Sequence, residues 1–228
     1  MSHVLIVLSG ARFWTQQDGR QRPTGFWAEE LIAPHRVLTE AGVRLTIATP
    51  GGRIPVADEV SLTDEAQKAY LEDLRPVLES PVRLEDVDPA DYDAVLIPGG
   101  HGPMQDLAVH PDIARVLEAM LPDRSRTVAA LCHGIAAFLP AGDADGDWLF
   151  RGRRMTSFTD AEEEQVGLAA NAPWLLESRL RAAGAVHEAG PAFGSYVVVD
   201  GNLITGQNPA SGEAVGQALL AALPARVG

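Results

Sequence analysis

Apolar residues occur along this chain in short unbroken runs, separated by longer segments in which they recur every three or four positions. Val4–Leu8 is a Val/Leu/Ile run, the pattern of a strand buried on both faces. The polar stretch Gly10–Gly25 reads as a loop. Phe26–Ala41 has helical periodicity and is closed by Gly42. Val43–Ala48, Ala94–Ile97 and Thr127–Leu131 read as further strands, and Asp58–Leu78 as a polar, partly helical insertion. Pro111–Met120 is helical, and another helix begins at Gly134–Leu139. After the loop Gly142–Asp147, short strands are expected at Leu149–Phe150 and Arg154–Ser157, and helices at Ala161–Ala170 and Trp174–Ala183. Tyr196–Val199 and Leu203–Thr205 flank Asp200-Gly201-Asn202, a tight-turn signal, and form a hairpin. Gly212–Leu223 is the last helix. Strands alternating with helices predict an α/β fold on a mainly parallel sheet. No repeat, low-complexity tract or linker divides residues 1–228, so one domain is expected.

Composition narrows the function classes. The chain is 46% hydrophobic, enough for a substantial core. It carries 18 basic against 31 acidic residues, a net charge of −13, which argues against nucleic acid or an anionic membrane surface as partner. No apolar run is long enough to span a bilayer, and the first ten residues read as a strand rather than a leader. The single cysteine, Cys132, excludes an intrachain disulfide and fits a reducing, cytoplasmic setting.

Cys132 stands where a buried strand, Val128–Leu131, gives way to His133-Gly134 and a helical pattern. Ligands of open α/β sheets bind beyond the carboxyl ends of the strands. A thiol at such a turn is a cysteine counterpart of the nucleophile elbow. The start of a helix and a hydrogen bond from Glu30 favour thiolate, so a depressed Cys132 pKa of roughly 4–6.5 is expected. Pro98-Gly99-Gly100-His101-Gly102 follows another strand end, where backbone N–H groups can approach a ligand closely. It has neither dinucleotide-binding nor P-loop spacing.

At about 100° per residue, Glu30 falls inside the apolar stripe of Phe26, Leu31, Val37, Leu38 and Ala41. Glu29 falls on the solvated side with Arg36 and Glu40. An inward carboxylate has a raised pKa unless paired, which makes Glu30 a candidate acid or base. In Ser157–Glu164, Asp160 has N-cap character with Glu163 at capping-box spacing; Glu163 is alternatively a partner that orients an imidazole. No H-x-x-x-H, C-x-x-C or H-E-x-x-H spacing occurs, so neither a metal site nor another cofactor is expected.

These segments occur together with Thr24-Gly25 leading to Glu30, and with Thr205-Gly206-Gln207-Asn208-Pro209-Ala210-Ser211. In that order the chain resembles the ThiJ/PfpI family of the class I glutamine amidotransferase-like superfamily, nearest its glyoxalase III stress-protein branch. The resemblance implies a flavodoxin-like sandwich, with helices on both faces of the sheet, and a homodimer. It implies a Cys-His-Glu set at Cys132, His133 and Glu163, a facing glutamate at Glu30, and oxyanion donors in the backbone of Gly100 and His133. The implied activity is cofactor-independent conversion of small 2-oxoaldehydes such as methylglyoxal to 2-hydroxy acids, without glutathione. Phe26 and Trp27 would make one pocket wall bulky. Amidotransferases of the superfamily place a remote His-x-Glu after the nucleophile. Here the only later histidine beyond His133 is His187, followed directly by Glu188, so that spacing fails. A stress-response chaperone, a thiol redox sensor with Cys132 oxidised, or another cysteine-dependent hydrolase or hydratase are the alternatives the same residues allow.

Overall fold

The structure is a computed structural model and describes residues 1–224 of the 228. In chain order the strands and helices are β1 (His3–Val7), β2 (Phe13–Thr15), β3 (Gln21–Pro23), α1 (Ala28–Glu40), β4 (Arg44–Thr49), α2 (Glu65–Leu78), β5 (Val82–Arg83), β6 (Ala94–Ile97), α3 (Gly102–Gln105), α4 (Pro111–Met120), β7 (Thr127–Leu131), β8 (Arg154–Met155), α5 (Asp160–Gln165), α6 (Leu176–Ala183), β9 (Val186–His187), β10 (Val197–Asp200), β11 (Leu203–Gly206) and α7 (Gly212–Ala222). Seven strands form one sheet in the order β10-β11-β7-β6-β1-β4-β5, parallel except for β10.

Helices cover both faces, the sandwich that the sequence predicts. Because side chains alternate along a strand, β1 and β6 feed two cores. Val4, Ile6, Ala94 and Leu96 pack with Leu31 and Leu38 of α1 and Val215 and Leu219 of α7. Leu5, Val7, Val95 and Ile97 pack with Ile113, Val116 and Leu117 of α4. Helix α7 lies close on α1 because Gly216 faces Pro34: a Cβ on Gly216 would stand 2.8 Å from the Pro34 Cα. None of the described helices is long and apolar enough to cross a membrane.

Several boundaries differ from the sequence pattern for local reasons. Helix α1 starts at Ala28, not Phe26, because Phe26 is extended and bridges Ala57, while the Trp27 N–H donates to the Gly99 carbonyl at 3.0 Å. The expected loop Gly10–Gly25 contains the β2–β3 hairpin, which carries Trp14 into the core. The helix after Cys132 is a 3₁₀ run, Cys132–Phe138. Leu149–Phe150 forms a turn rather than a strand, and the Phe150 ring stacks on Phe138 at 4.2 Å. The helix expected over Ala161–Ala170 stops at Gln165, close before the left-handed Gly167.

The cap of α5 lies one residue earlier than the sequence spacing suggests. Thr159, not Asp160, is the N-cap, and Glu162, not Glu163, closes the capping box: the Glu162 N–H donates to Thr159 Oγ1 at 3.1 Å and the Thr159 N–H to Glu162 Oε2 at 2.9 Å. The other carboxylate oxygen of Glu162, fully buried, accepts from the Phe193 N–H at 2.7 Å, Asn208 Nδ2 at 2.8 Å and Gln207 Nε2 at 3.1 Å. One side chain therefore pins the α5 cap, the Phe193 loop and the Gln207-Asn208 turn together. Glu162→Leu strands these donors in an apolar interior and is expected to destabilise the fold by about 3 kcal/mol or more. Urea titration checks this; a loss below about 1 kcal/mol would show that the network is dispensable.

Candidate active site

β6 and β7 are neighbouring parallel strands, so the turns that follow them meet at one end of the sheet. They interlock at glycines. A Cβ on Gly134 would come within 2.2 Å of the Ile97 carbonyl oxygen, and one on Gly99 within 2.7 Å of the His133 nitrogen. Directly after β7, Cys132 takes a left-handed φ of 56°. That costs a non-glycine residue on the order of 1–2 kcal/mol, and it turns the chain sharply out of the strand.

The thiol is buried, 3% exposed, and meets Glu30 at the N-terminal end of α1. Glu30 is fully buried, as its place in the helical stripe predicts. Its Oε2 accepts from the Gly99 N–H at 2.7 Å, and its carboxyl faces the Cys132 thiol. Glu29 points the other way, half-buried, and accepts from Gln67 Nε2 of α2 at 3.0 Å. Burial pushes the Glu30 carboxyl up to about 8 against the pull of the Cys132 thiol and the Gly99 N–H. Burial, and then the neighbouring Glu30 charge, push the Cys132 thiol well above its ordinary range, although the backbone N–H groups of His133 and Gly100 aim at the sulfur and favour thiolate. The depressed thiol expected from sequence is thus corrected. The chain after Cys132 is a 3₁₀ run rather than a long α-helix, and the strand pattern does not reveal that the sulfur sits in a dry site beside a carboxyl group. Both groups therefore keep their protons near pH 7, and loss of the carboxyl proton near pH 8 leaves a carboxylate facing the thiol.

His133 also reaches the sulfur, a point the sequence leaves open: Nδ1 lies 3.4 Å from Sγ. Its Nε2 donates to Glu163 Oε2 at 2.6 Å, while Glu163 Oε1 accepts from His101 Nε2 at 2.8 Å. Burial opposes ionisation of Glu163, but the neighbouring His133 and the hydrogen bonds from both imidazoles outweigh it and hold the carboxyl well below the usual range. Burial and the neighbouring His133 lower His101 to about 4, so it is neutral near pH 7. Neutral His101, donating through Nε2, has its Nδ1 as the acceptor nitrogen. The rings stack in a column, with Trp14 against His101 at 4.7 Å, His101 against His133 at 4.1 Å and His133 against Phe158 at 4.5 Å.

His101 was missed as a site residue. The available signal was its place in a glycine-rich turn at the same end of the sheet as Cys132. His101, His133 and Glu163 are near enough to share a metal ion, yet both imidazoles already contact the carboxylate directly, and these hydrogen bonds occupy the positions an ion would take. The sequence offers no further ligand spacing.

Cys132 and His133 line a pocket of about 230 Å³, walled by Trp27, Phe158, Leu168 and Phe193. Trp27 is a wall residue as the sequence suggests. Phe26 is not: it is 1% exposed and packs in the core with Leu31. Arg22 stands at the pocket with its guanidinium paired to Asp58 at 3.3 Å.

The chain is similar to proteins of one family. The DJ-1/PfpI family profile matches residues 23–222. A bovine protein named glutamine amidotransferase-like class 1 domain-containing protein 1 is 34% identical over 175 residues, covering 76% of this chain and 78% of its own length. A Pseudomonas aeruginosa relative named protein/nucleic acid deglycase HchA is 29% identical over 230 residues, covering 94% of this chain and 78% of its own. The solved structure of glyoxalase III from Candida albicans superposes with a TM-score of 0.84 at 24% identity, over 99% of this chain and 98% of that one. The parallel sheet that carries Cys132 on its sharp exit turn is thus the sheet of the DJ-1/PfpI family, to which this chain belongs.

Proposed function

We propose that this protein is a glutathione-independent glyoxalase that converts small 2-oxoaldehydes to 2-hydroxy acids with no cofactor. The observation that carries the reading is the buried Cys132–Glu30 pair, with two backbone N–H groups aimed at the same point from Gly100 and His133. Relatives named glyoxalase and deglycase, both enzymes, support it.

The reaction needs a nucleophile, an oxyanion site and one proton carrier. Glu30 takes the thiol proton as Cys132 Sγ bonds to the aldehyde carbon. The carbonyl oxygen develops charge within reach of the Gly100 and His133 N–H groups and receives that proton, giving a hemithioacetal. Glu30, again a carboxylate, removes the hydrogen from C1. The electrons flow into the C2 carbonyl as an enediolate, the C1 hydroxyl proton passes to the C2 oxygen, and the proton held by Glu30 returns at C2, which leaves C1 as a thioester carbonyl. Carbon C1 is oxidised and C2 reduced within one molecule, so no external oxidant or reductant is consumed. The resulting thioester is hydrolysed by water, which releases the 2-hydroxy acid and the thiol. A carboxyl group poised near pH 8 suits this shuttle, because a carrier must both accept and release its proton at working pH. His133, oriented by ionised Glu163, offers Nδ1 to the sulfur and to the water of the last step. His101 holds Glu163 from its other oxygen.

Lactate formation from methylglyoxal without glutathione is the direct assay. Wild type is expected to turn over and Cys132→Ala to be inactive; equal rates in the two proteins would remove the nucleophile.

Glu30→Gln is expected to lower turnover about 10²–10⁴-fold, whereas Glu29→Gln, whose carboxylate faces Gln67, leaves it within about threefold. If Glu29→Gln is the damaging change, the assignment of the base is wrong.

The raised Glu30 pKa fixes two pH signs. Activity that needs the carboxylate rises with pH until about 8. Stability runs the other way: between the ordinary carboxyl value and about 8 the unfolded chain releases a proton that the folded chain keeps, so the fold loses stability as pH rises. Glu30→Gln should therefore be more stable than wild type near pH 8, by at least about 1 kcal/mol, while being far less active. A variant that is less stable there than wild type would contradict the raised pKa.

A further inference from the structure

Two non-glycine residues among those described take a left-handed φ: Cys132 at 56° and Phe193 at 57°. They are far apart in sequence, yet both line the same pocket. Strained backbone at Cys132 presents the nucleophile. A bulky aromatic residue in the same region calls for a reason of its own, especially as the turn places the strain on Phe193 and not on the adjacent Gly194. The Phe193 N–H is clamped by buried Glu162 at 2.7 Å, so the conformation is enforced by the network that caps α5. Its ring meets Phe158 edge-on at 6.2 Å, which extends the aromatic column from His133 to the pocket mouth.

Around that mouth stand two more exposed apolar side chains from separate segments, Val60 at 65% and Val166 at 45% exposure, beside Phe193 at 45%. Scattered exposed valines need no explanation. Here they gather with a strained phenylalanine at the opening above the thiol. Among the described residues, Arg22 is the one Arg or Lys at the wall; it is already engaged by Asp58 and gives an anionic tail little to bind. Methylglyoxal, whose substituent is a single methyl group, would leave most of this collar untouched.

We propose that the collar is the subsite for the substituent on the ketone carbon of the 2-oxoaldehyde, that it takes a flat apolar group such as an aryl ring, and that Phe193 selects it. This rests on the glyoxalase reading and deepens it. The test compares kcat/KM for phenylglyoxal and methylglyoxal in wild type, Phe193→Gly, Phe193→Leu and Val60→Ser. Wild type should favour phenylglyoxal at least about tenfold. Phe193→Gly, which also suits the left-handed backbone, should lose about ten- to a hundredfold on phenylglyoxal and under threefold on methylglyoxal. Phe193→Leu should recover part of the loss. Val60→Ser, on a different segment, should lose severalfold on phenylglyoxal alone. A substrate ratio that none of these variants changes, or an equal fall on both substrates, overturns the subsite, as does a changed oligomeric state with an unchanged ratio, which would make the collar an interface. If wild type converts neither substrate, the glyoxalase reading has failed, and the subsite is then judged by protection of Cys132 from iodoacetamide. Protection by acetophenone but not acetone, lost in Phe193→Gly, supports it; no protection overturns it.

Discussion

The burial of two ionisable groups in one site, the Cys132 thiol and the Glu30 carboxyl, governs much of the architecture at this end of the sheet. Neither group can ionise cheaply in a dry site, and the charge on one raises the cost of charge on the other. The fold therefore supplies compensation in the form of backbone dipoles. Gly99 donates to the carboxylate, and Gly100 and His133 donate toward the sulfur. These donors can come so close only because Gly99, Gly100 and Gly134 lack side chains, and because β6 and β7 deliver their turns side by side.

A second tier of support is built from two adjacent glutamates with different roles. Glu162 turns inward to the α5 cap and gathers donors from Phe193, Gln207 and Asn208. Glu163, one residue on, projects to the two imidazoles and is held ionised by them. Helix geometry separates consecutive side chains by about 100°, so a single short helix serves both the fold and the site. The Gln207-Asn208 turn follows β11, which pairs with β7, so Glu162 also ties α5 to the strand that leads into Cys132.

The sequence was most informative where periodicity is strong. Strands β1, β6 and β7 lie within a residue of the Val/Ile/Leu runs, because strands buried on both faces leave few polar positions to blur the pattern. The inward phase of Glu30 was legible for a related reason: a helix packed on a sheet has one apolar stripe, and a carboxylate inside it stands out. The site residues Cys132, His133, Glu30 and Glu163, with the Gly100 turn, were named from strand-end position and family resemblance, and the structure brings all of them together.

What the sequence left undecided depends on contacts between distant segments. The phase of the α5 cap shifted by one because Thr159 and Asp160 are both good caps, and only the donors at Gln207, Asn208 and Phe193 choose between them by engaging Glu162. The direction of the Cys132 shift was misread because local sequence shows a helix start, whereas the dry surroundings and the facing carboxyl come from α1 and the β6 turn. His101 and Phe193 became visible as wall and support only in three dimensions. Short-range order in the chain fixed the strands, the inward glutamate and the elbow. Burial, electrostatic coupling and the shape of the pocket were decided by tertiary packing, because desolvation is a property of everything that surrounds a group and no local window of sequence contains it.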